Sequence, residues 1–267
     1  MKSGLMSKKY SAVALLVICS FCACSSMLLA DFEGCVQSVF RLSGVSKNNQ
    51  PVFGTCFLVQ SQANVVWLVT AAHILDAIGG DQARLLLRRA VNSTYESFEA
   101  SIAIREGSQN LYARHQNFDL AVLRIVLPDG IAITTFSLSS IADIDAVRRL
   151  RPGPGDLVII PGYPYGEPCN SGGFAFTRSG VISSFPFSGA LAGGMFSVDF
   201  SVIEGYSGAP IVLADKSRRI VIGMVSQEII IEELRNSQKA VKKKQVSPGF
   251  ARAINGTVIR EFISSLR

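Results

Sequence analysis

Three residues in three separate segments carry side chains suited to one reaction. His73 closes the run Trp67-Leu68-Val69-Thr70-Ala71-Ala72, Asp119 opens Leu120-Ala121-Val122-Leu123, and Ser207 lies within Glu204-Gly205-Tyr206-Ser207-Gly208-Ala209-Pro210. Histidine is the natural general base near neutral pH, and a carboxylate can orient its ring. A serine hydroxyl becomes a useful nucleophile once such a base takes its proton. The glycines at 205 and 208 permit a tight turn that exposes the hydroxyl and aims backbone N–H groups at a developing oxyanion. Singly, each segment has a plainer explanation: a capped or buried histidine, a turn aspartate, a glycine-flanked serine arising by chance. Together, in the order His, Asp, Ser and separated by 46 and 88 residues, they match one of the known orders of the serine triad. The α/β-hydrolase elbow is disfavoured. Ala209 stands where it needs glycine, and both histidines of the chain, His73 and His115, precede Ser207.

The segments that must hold these residues read as short strands. Apolar runs punctuated by turn formers cover Val36–Leu42, Thr55–Val59, Val65–Ala71, Ala83–Leu87 and Leu120–Val126. A second set covers Leu157–Ile160, Gly180–Ser184, Phe196–Val202, Pro210–Leu213 and Ile220–Ser226. Strands outnumber helical segments, which predicts an all-β barrel or sandwich. One helix is expected at the end, capped by Asn255 and carrying Val258, Ile259, Phe262, Ile263 and Leu266 at helical spacing. A weaker helical pattern covers Ile229 to Lys239, and the four lysines between Lys239 and Lys244 read as a solvated loop. Residues 137–154, with Arg148, Arg149 and Arg151, read as a crossover between residues 31–136 and 155–267.

The chain has 267 residues, 48% of them hydrophobic, and a net charge of +6. Lys2, Lys8 and Lys9 supply half of that charge, so nucleic acid is not expected as a partner. With two histidines a multi-histidine metal site is not expected either, and no cofactor motif is present. After that basic start, no charged residue occurs from Tyr10 to Ala30, and the densest apolar run is Ala12–Ile18. This is the pattern of an export signal over about residues 1–23. The sequence Phe21-Cys22-Ala23-Cys24-Ser25 resembles a lipoprotein cleavage box, which makes Cys24 a lipidation candidate and would attach the chain to a membrane. Ordinary cleavage at Ala23-Cys24-Ser25 and an uncleaved span are the alternatives. All three put the remainder outside the cytoplasm. Cys35, Cys56 and Cys169 are too few for a disulfide scaffold.

These segments resemble the trypsin-like serine peptidases of the chymotrypsin fold, and most closely the protease domain of the bacterial HtrA/DegP-like branch. Gly54-Thr55-Cys56-Phe57 with Thr70-Ala71-Ala72-His73 resembles the family's histidine region, and Asp119-Leu120-Ala121-Val122-Leu123 its aspartate strand. Gly162-Tyr163-Pro164-Tyr165-Gly166, Gly180-Val181-Ile182-Ser183 and Asp199 resemble parts of its second barrel, and Phe250-Ala251-Arg252-Ala253-Ile254 its end. The resemblance implies two six-stranded antiparallel barrels, a C-terminal helix and a cleft between the barrels holding the triad. It implies that Ser207 attacks the substrate carbonyl, that His73 shuttles the proton and that Asp119 orients the ring. Gly205 and Ser207 N–H groups would form the oxyanion hole. Ser226 would support the aspartate and begin a strand, continuing through Gln227 and Glu228, to which a protein or peptide substrate adds by backbone hydrogen bonds. Ser201 stands where trypsins place an acid, so a basic pocket preference is not implied; Val202 and Val225 suggest a small or apolar one. Glu228 falls at the pocket rim. Tyr206 replaces the aspartate that pairs with a newly cut N-terminus, so activation by that route is not expected. No PDZ module is expected after Arg267. A silent peptide-binding domain and an esterase on the same scaffold are the rival readings.

Overall fold

The computed structural model describes residues 32–62, 65–128, 131, 133–187, 193–214, 219–237 and 240–266, with backbone only for 231–246. The export signal and Cys24 lie outside the described residues. After a helical turn, α1 (residues 32–37), the first half contributes β1 (Val39–Val45), β2 (Pro51–Gln62), β3 (Val65–Thr70), helix α2 (Ala72–Ala77), β4 (Gln82–Val91) and β5 (Thr94–Ala103). The short β6 (Arg105–Glu106), β7 (Gln109–Asn110) and β8 (Ala113–Arg114) follow, then β9 (Ala121–Ile125) and β10 (Phe136–Ser137). The sheet runs β5-β4-β1-β2-β3-β9-β8, with β10 parallel on β2. Its six long strands form the expected barrel-like half, and two-residue strands extend it.

The second half is a closed barrel, β11-β12-β13-β18-β15-β14. Its strands are β11 (Leu157–Gly162), β12 (Phe176–Ile182), β13 (Met195–Asp199), β14 (Pro210–Leu213), β15 (Val221–Glu228) and β18 (Phe250–Asn255). Between the last two, β16 (Ile231–Ser237) and β17 (Ala240–Val246) form a separate hairpin. The fold is therefore all-β and chymotrypsin-like. Each half closes over its own core: Phe40, Leu42, Phe57, Leu58 and Leu68 in the first, Val158, Ile160, Val198, Ile211 and Ile222 in the second. Each such side chain contributes about 1.5–3 kcal/mol when removed from water.

Between the halves lies helix α3 (Ile144–Leu150), capped by the Asp143 carboxylate accepting the Ala146 N–H at 2.7 Å and ended by Arg151 at φ 50°. The final helix α4 (Gly256–Ser265) is capped by Asn255, as expected, and buries Ile259 and Ile263. Arg260 ties it to the crossover through the Ile141 carbonyl at 2.9 Å and Asp143 at 3.0 Å.

Several elements depart from the sequence reading. Residues read as a strand from Val36 begin it at Val39, because α1 occupies the preceding turn. The strand expected over Gly180–Ser184 lies earlier, over Phe176–Ile182. The described residues of Ile229–Lys239 are not helical: Ile231–Ser237 pairs with Ala240–Val246, so Lys242–Lys244 lie in a strand rather than a loop. β-Branched Ile231 at the start of one strand and Val241 and Val246 in the other favour extended backbone once the ladder is satisfied.

A buried arginine joins the halves. Arg88 on β4 is wholly buried; Nη1 donates to the Gly173 carbonyl at 2.9 Å and Nη2 to those of Gln37 and Val39 at 2.9 and 3.2 Å. Its guanidinium stacks over Phe40 and Phe174 at 4.4 and 4.5 Å. Burial pulls its pKa below the usual value, against the opposing influence of Tyr163.

Candidate active site

The sheet register brings the first two candidates together. β3 and β9 pair antiparallel with Thr70 opposite Ala121. His73, just past the end of β3 and in the first turn of α2, therefore meets Asp119, just before β9. His73 Nδ1 lies 2.7 Å from Asp119 Oδ2, and the His73 backbone N–H donates to Oδ1 at 2.9 Å. The bidentate carboxylate holds the imidazole in the Nδ1–H form and leaves Nε2 bare to accept a proton. Ser226, on β15, reaches across from the second barrel and donates to Asp119 Oδ2 at 3.2 Å. Partial burial pushes the Asp119 carboxyl up, but the bonds and charge of His73 and the bond from Ser226 outweigh it and hold it below the usual carboxylate range.

Ser207 sits three residues before β14, which starts at Pro210. Gly208 can pack here only without a side chain: a Cβ would stand 2.0 Å from the Thr55 carbonyl, and its φ is +87°. Its N–H donates to the Val225 carbonyl at 2.8 Å, and Val225 N–H returns to Ala209 at 2.9 Å. Thr55 N–H donates to the Ser207 carbonyl at 2.9 Å. The N–H groups of Tyr206, Gly208 and Ala209 are all engaged. Among the described residues, those of Gly205 and Ser207 donate to nothing, which suits them to receive an oxyanion. The Ser207 hydroxyl and His73 Nε2 are likewise without hydrogen bonds among the described residues.

The specificity candidates divide. Ser201 is exposed and its carbonyl accepts from Arg178 at 2.8 Å; a Cβ on Gly249 would stand 3.5 Å from its hydroxyl. Val202 is half-buried, Gln227 exposed, and Glu228 accepts a short hydrogen bond from Ser247. Val225 differs from expectation: its side chain is wholly buried in the second core, supporting the wall instead of offering surface to a ligand. The Ser226 side chain is also buried and is spent on Asp119. The β15–β18 ladder slips here, however, leaving Ser226 without a partner in the register.

Tyr206, between the two free N–H groups, is wholly buried against Phe200 at 5.1 Å between ring centroids. Arg178 caps the stack, 4.5 Å from Phe200 and 5.7 Å from Tyr206. Burial pushes the Tyr206 phenol up to about 12, and its hydroxyl has no hydrogen-bond partner among the described residues. Sequence reasoning assigned no role to Arg178, Arg88 or the Thr55 hydroxyl; nothing in one sequence marks which polar residues a fold will bury. His115 is packed between Phe118 and Phe262, at 4.9 and 5.0 Å, away from the triad hydrogen bonds. Cys56 and Cys169 are free thiols. No three His, Cys, Asp or Glu side chains cluster as metal ligands among the described residues, and no described helix is long and apolar enough to cross a membrane.

No curated protein matches the chain. The family model described as the trypsin-like peptidase domain matches residues 54–224, a span that contains His73, Asp119 and Ser207. With well over half its length matched on this barrel pair, the chain belongs to the trypsin-like peptidase domain family.

Proposed function

We propose that the protein is an exported serine endopeptidase that cleaves proteins or peptides through an acyl-enzyme. The observation that carries this reading is the His73–Asp119 pair at 2.7 Å, together with a loop, packed through Gly208 against Thr55 and Ala71, in which the Gly205 and Ser207 N–H groups are unspent. Ser207 Oγ attacks the substrate carbonyl and gives its proton to His73 Nε2. The imidazolium that forms is stabilised by Asp119 through Nδ1–H. The tetrahedral oxygen is received by the two N–H groups, and His73 passes its proton to the leaving amine. Water then repeats the sequence on the acyl-enzyme.

The substrate backbone adds beside Ser226–Glu228. Ser201, which brings no acidic group, and the half-buried Val202 favour a small or apolar residue before the cleaved bond, at the positions the family resemblance gives them. Kinship with the HtrA/DegP-like branch, export, and lipid attachment at Cys24 belong to the same proposal. They rest on the motifs around Tyr163–Gly166 and on the basic-then-apolar N-terminus. The test is cleavage of a diverse peptide library, read by mass spectrometry, by the wild type and by Ser207→Ala. Cleavage after small or apolar residues by the wild type alone supports the reading. The rival, a domain that binds peptides without cutting them, draws on the missing hydrogen bond between Ser207 and His73. It requires equal silence from both proteins with peptide binding retained.

A further inference from the structure

We propose that Thr55 is a positioning residue for the oxyanion hole, reaching from the first barrel to set the loop that carries both N–H donors; the inference rests on the peptidase reading above. A trans peptide points its C=O and N–H in opposite directions, so whatever holds a carbonyl also aims the N–H of the next residue. The Glu204 carbonyl accepts Tyr165 N–H at 2.7 Å, which aims Gly205 N–H the other way. The Tyr206 carbonyl accepts Ala209 N–H at 2.9 Å, which does the same for Ser207 N–H. The peptide between these two is held by Thr55. Its hydroxyl donates to the Gly205 carbonyl at 2.6 Å, and its backbone N–H donates to the Ser207 carbonyl at 2.9 Å.

Thr55 thus grips both donor residues at once, one by side chain and one by backbone. It is wholly buried, so no water competes for these bonds. Its oxygen is also used on the other side, accepting Tyr163 N–H at 3.1 Å. Tyr163 begins the turn whose Tyr165 pins Glu204, and Tyr165 holds a left-handed φ of 52° to do so. One hydroxyl therefore couples the catalytic loop to the turn that aims it. The Thr70 hydroxyl, donating to the Thr55 carbonyl at 2.8 Å, fixes Thr55 from the strand that leads to His73. Thr55→Val keeps the shape but orphans the Gly205 carbonyl and the Tyr163 N–H, and a buried carbonyl without a partner turns to find one. The barrel ladder does not use the hydroxyl, so the loss falls on transition-state stabilisation rather than on substrate binding.

The test compares wild type, Thr55→Val and Thr55→Ser by kcat and KM on the best-cleaved library peptide, by fluorophosphonate labelling rate and by thermal melting. Losing an oxyanion donor outright costs about 100- to 1000-fold in kcat. Misaiming one through Thr55 is expected to cost roughly 10- to 100-fold, on the same scale. KM should stay within about twofold, labelling should fall in parallel, and Thr55→Ser, which keeps the oxygen, should recover most of the rate. A folded Thr55→Val with wild-type kcat overturns the inference, as does a change confined to KM. Should the valine variant lose its fold, Thr55→Ser decides: near wild-type kcat is expected, and a loss as deep as tenfold refutes the role of the oxygen. A wild type that neither cleaves nor labels removes the peptidase reading and this inference with it, whereas an active wild type with an indifferent Thr55→Val removes the inference alone.

Discussion

Replacing Gly205 by alanine should cost catalysis through a displaced oxyanion donor and stability through backbone strain, two losses that separate assays can read. The added Cβ would stand 2.0 Å from the Tyr163 carbonyl oxygen and 3.0 Å from the Tyr165 nitrogen. A carbon needs roughly 3.5 Å from its neighbours, so the loop must retreat by about 1.5 Å. An oxyanion donor works only within about 2.7–3.1 Å of its target, so a shift of that size removes it. The expected loss is about 100- to 1000-fold in kcat, or about 2.7–4 kcal/mol of barrier. The φ of +99° adds roughly 1–3 kcal/mol of backbone strain that also lowers stability. Peptide turnover and fluorophosphonate labelling would be followed beside a thermal melt. Gly107→Ala supplies the control: it shares a left-handed φ, +59°, but meets nothing within 4 Å and sits in the turn between β6 and β7. Its melt should fall slightly and its turnover should hold. A Gly205→Ala enzyme that turns over within threefold of wild type would refute the assignment of that N–H.

Three further outcomes follow from the buried polar groups and the triad. Arg88→Met should destabilise the protein by about 1–3 kcal/mol in chemical denaturation, because the Gln37 carbonyl loses its donor and those of Gly173 and Val39 are left to share the one Tyr163 hydroxyl proton. Tyr206→Phe removes a buried hydroxyl without a partner among the described residues, so its melting temperature should hold or rise; a large fall would reveal a bond to that oxygen. Asp119 has a folded pKa below its unfolded one, so its stabilising contribution is complete above about pH 4 and is lost as pH falls through the lower, folded value. Melting measured from pH 6 to 2 should therefore fall less steeply in Asp119→Asn than in wild type, and an identical slope would contradict the shift.

The strands that flank the chemistry were legible because nearly all their residues are apolar and buried. Val65–Val69 is a continuous apolar run, Ala121–Ile125 is broken only by the exposed Arg124, and β3 and β9 pair as neighbours. Thr94–Ala103 was invisible for the opposite reason: as an outer strand it opens on three exposed residues, Thr94, Tyr95 and Glu96, and has no fully buried residue, so it reads as a polar loop. Helix α3 carried a signal that went unread, Asp143 three residues before Ala146. The β16–β17 hairpin depends on pairing between two runs, which periodicity within one run does not reveal. At the site, residue type and order sufficed for His73, Asp119 and Ser207. The supports did not stand out. Ser226 was found only through resemblance, and Thr55 acts through an oxygen whose partners lie 108 and 150 residues away. Val225 showed an apolar residue, and only the packed barrel shows that it faces inward.

The most direct measurement is intact-protein mass spectrometry of the protein and its Ser207→Ala variant after exposure to a fluorophosphonate. A single adduct on the wild type, mapped by peptide sequencing to Ser207, prevented by His73→Ala and absent from Ser207→Ala, is the expected result. An unlabelled wild type that melts as a folded protein, or an adduct that persists in Ser207→Ala, would contradict the assignment of Ser207 as the activated nucleophile.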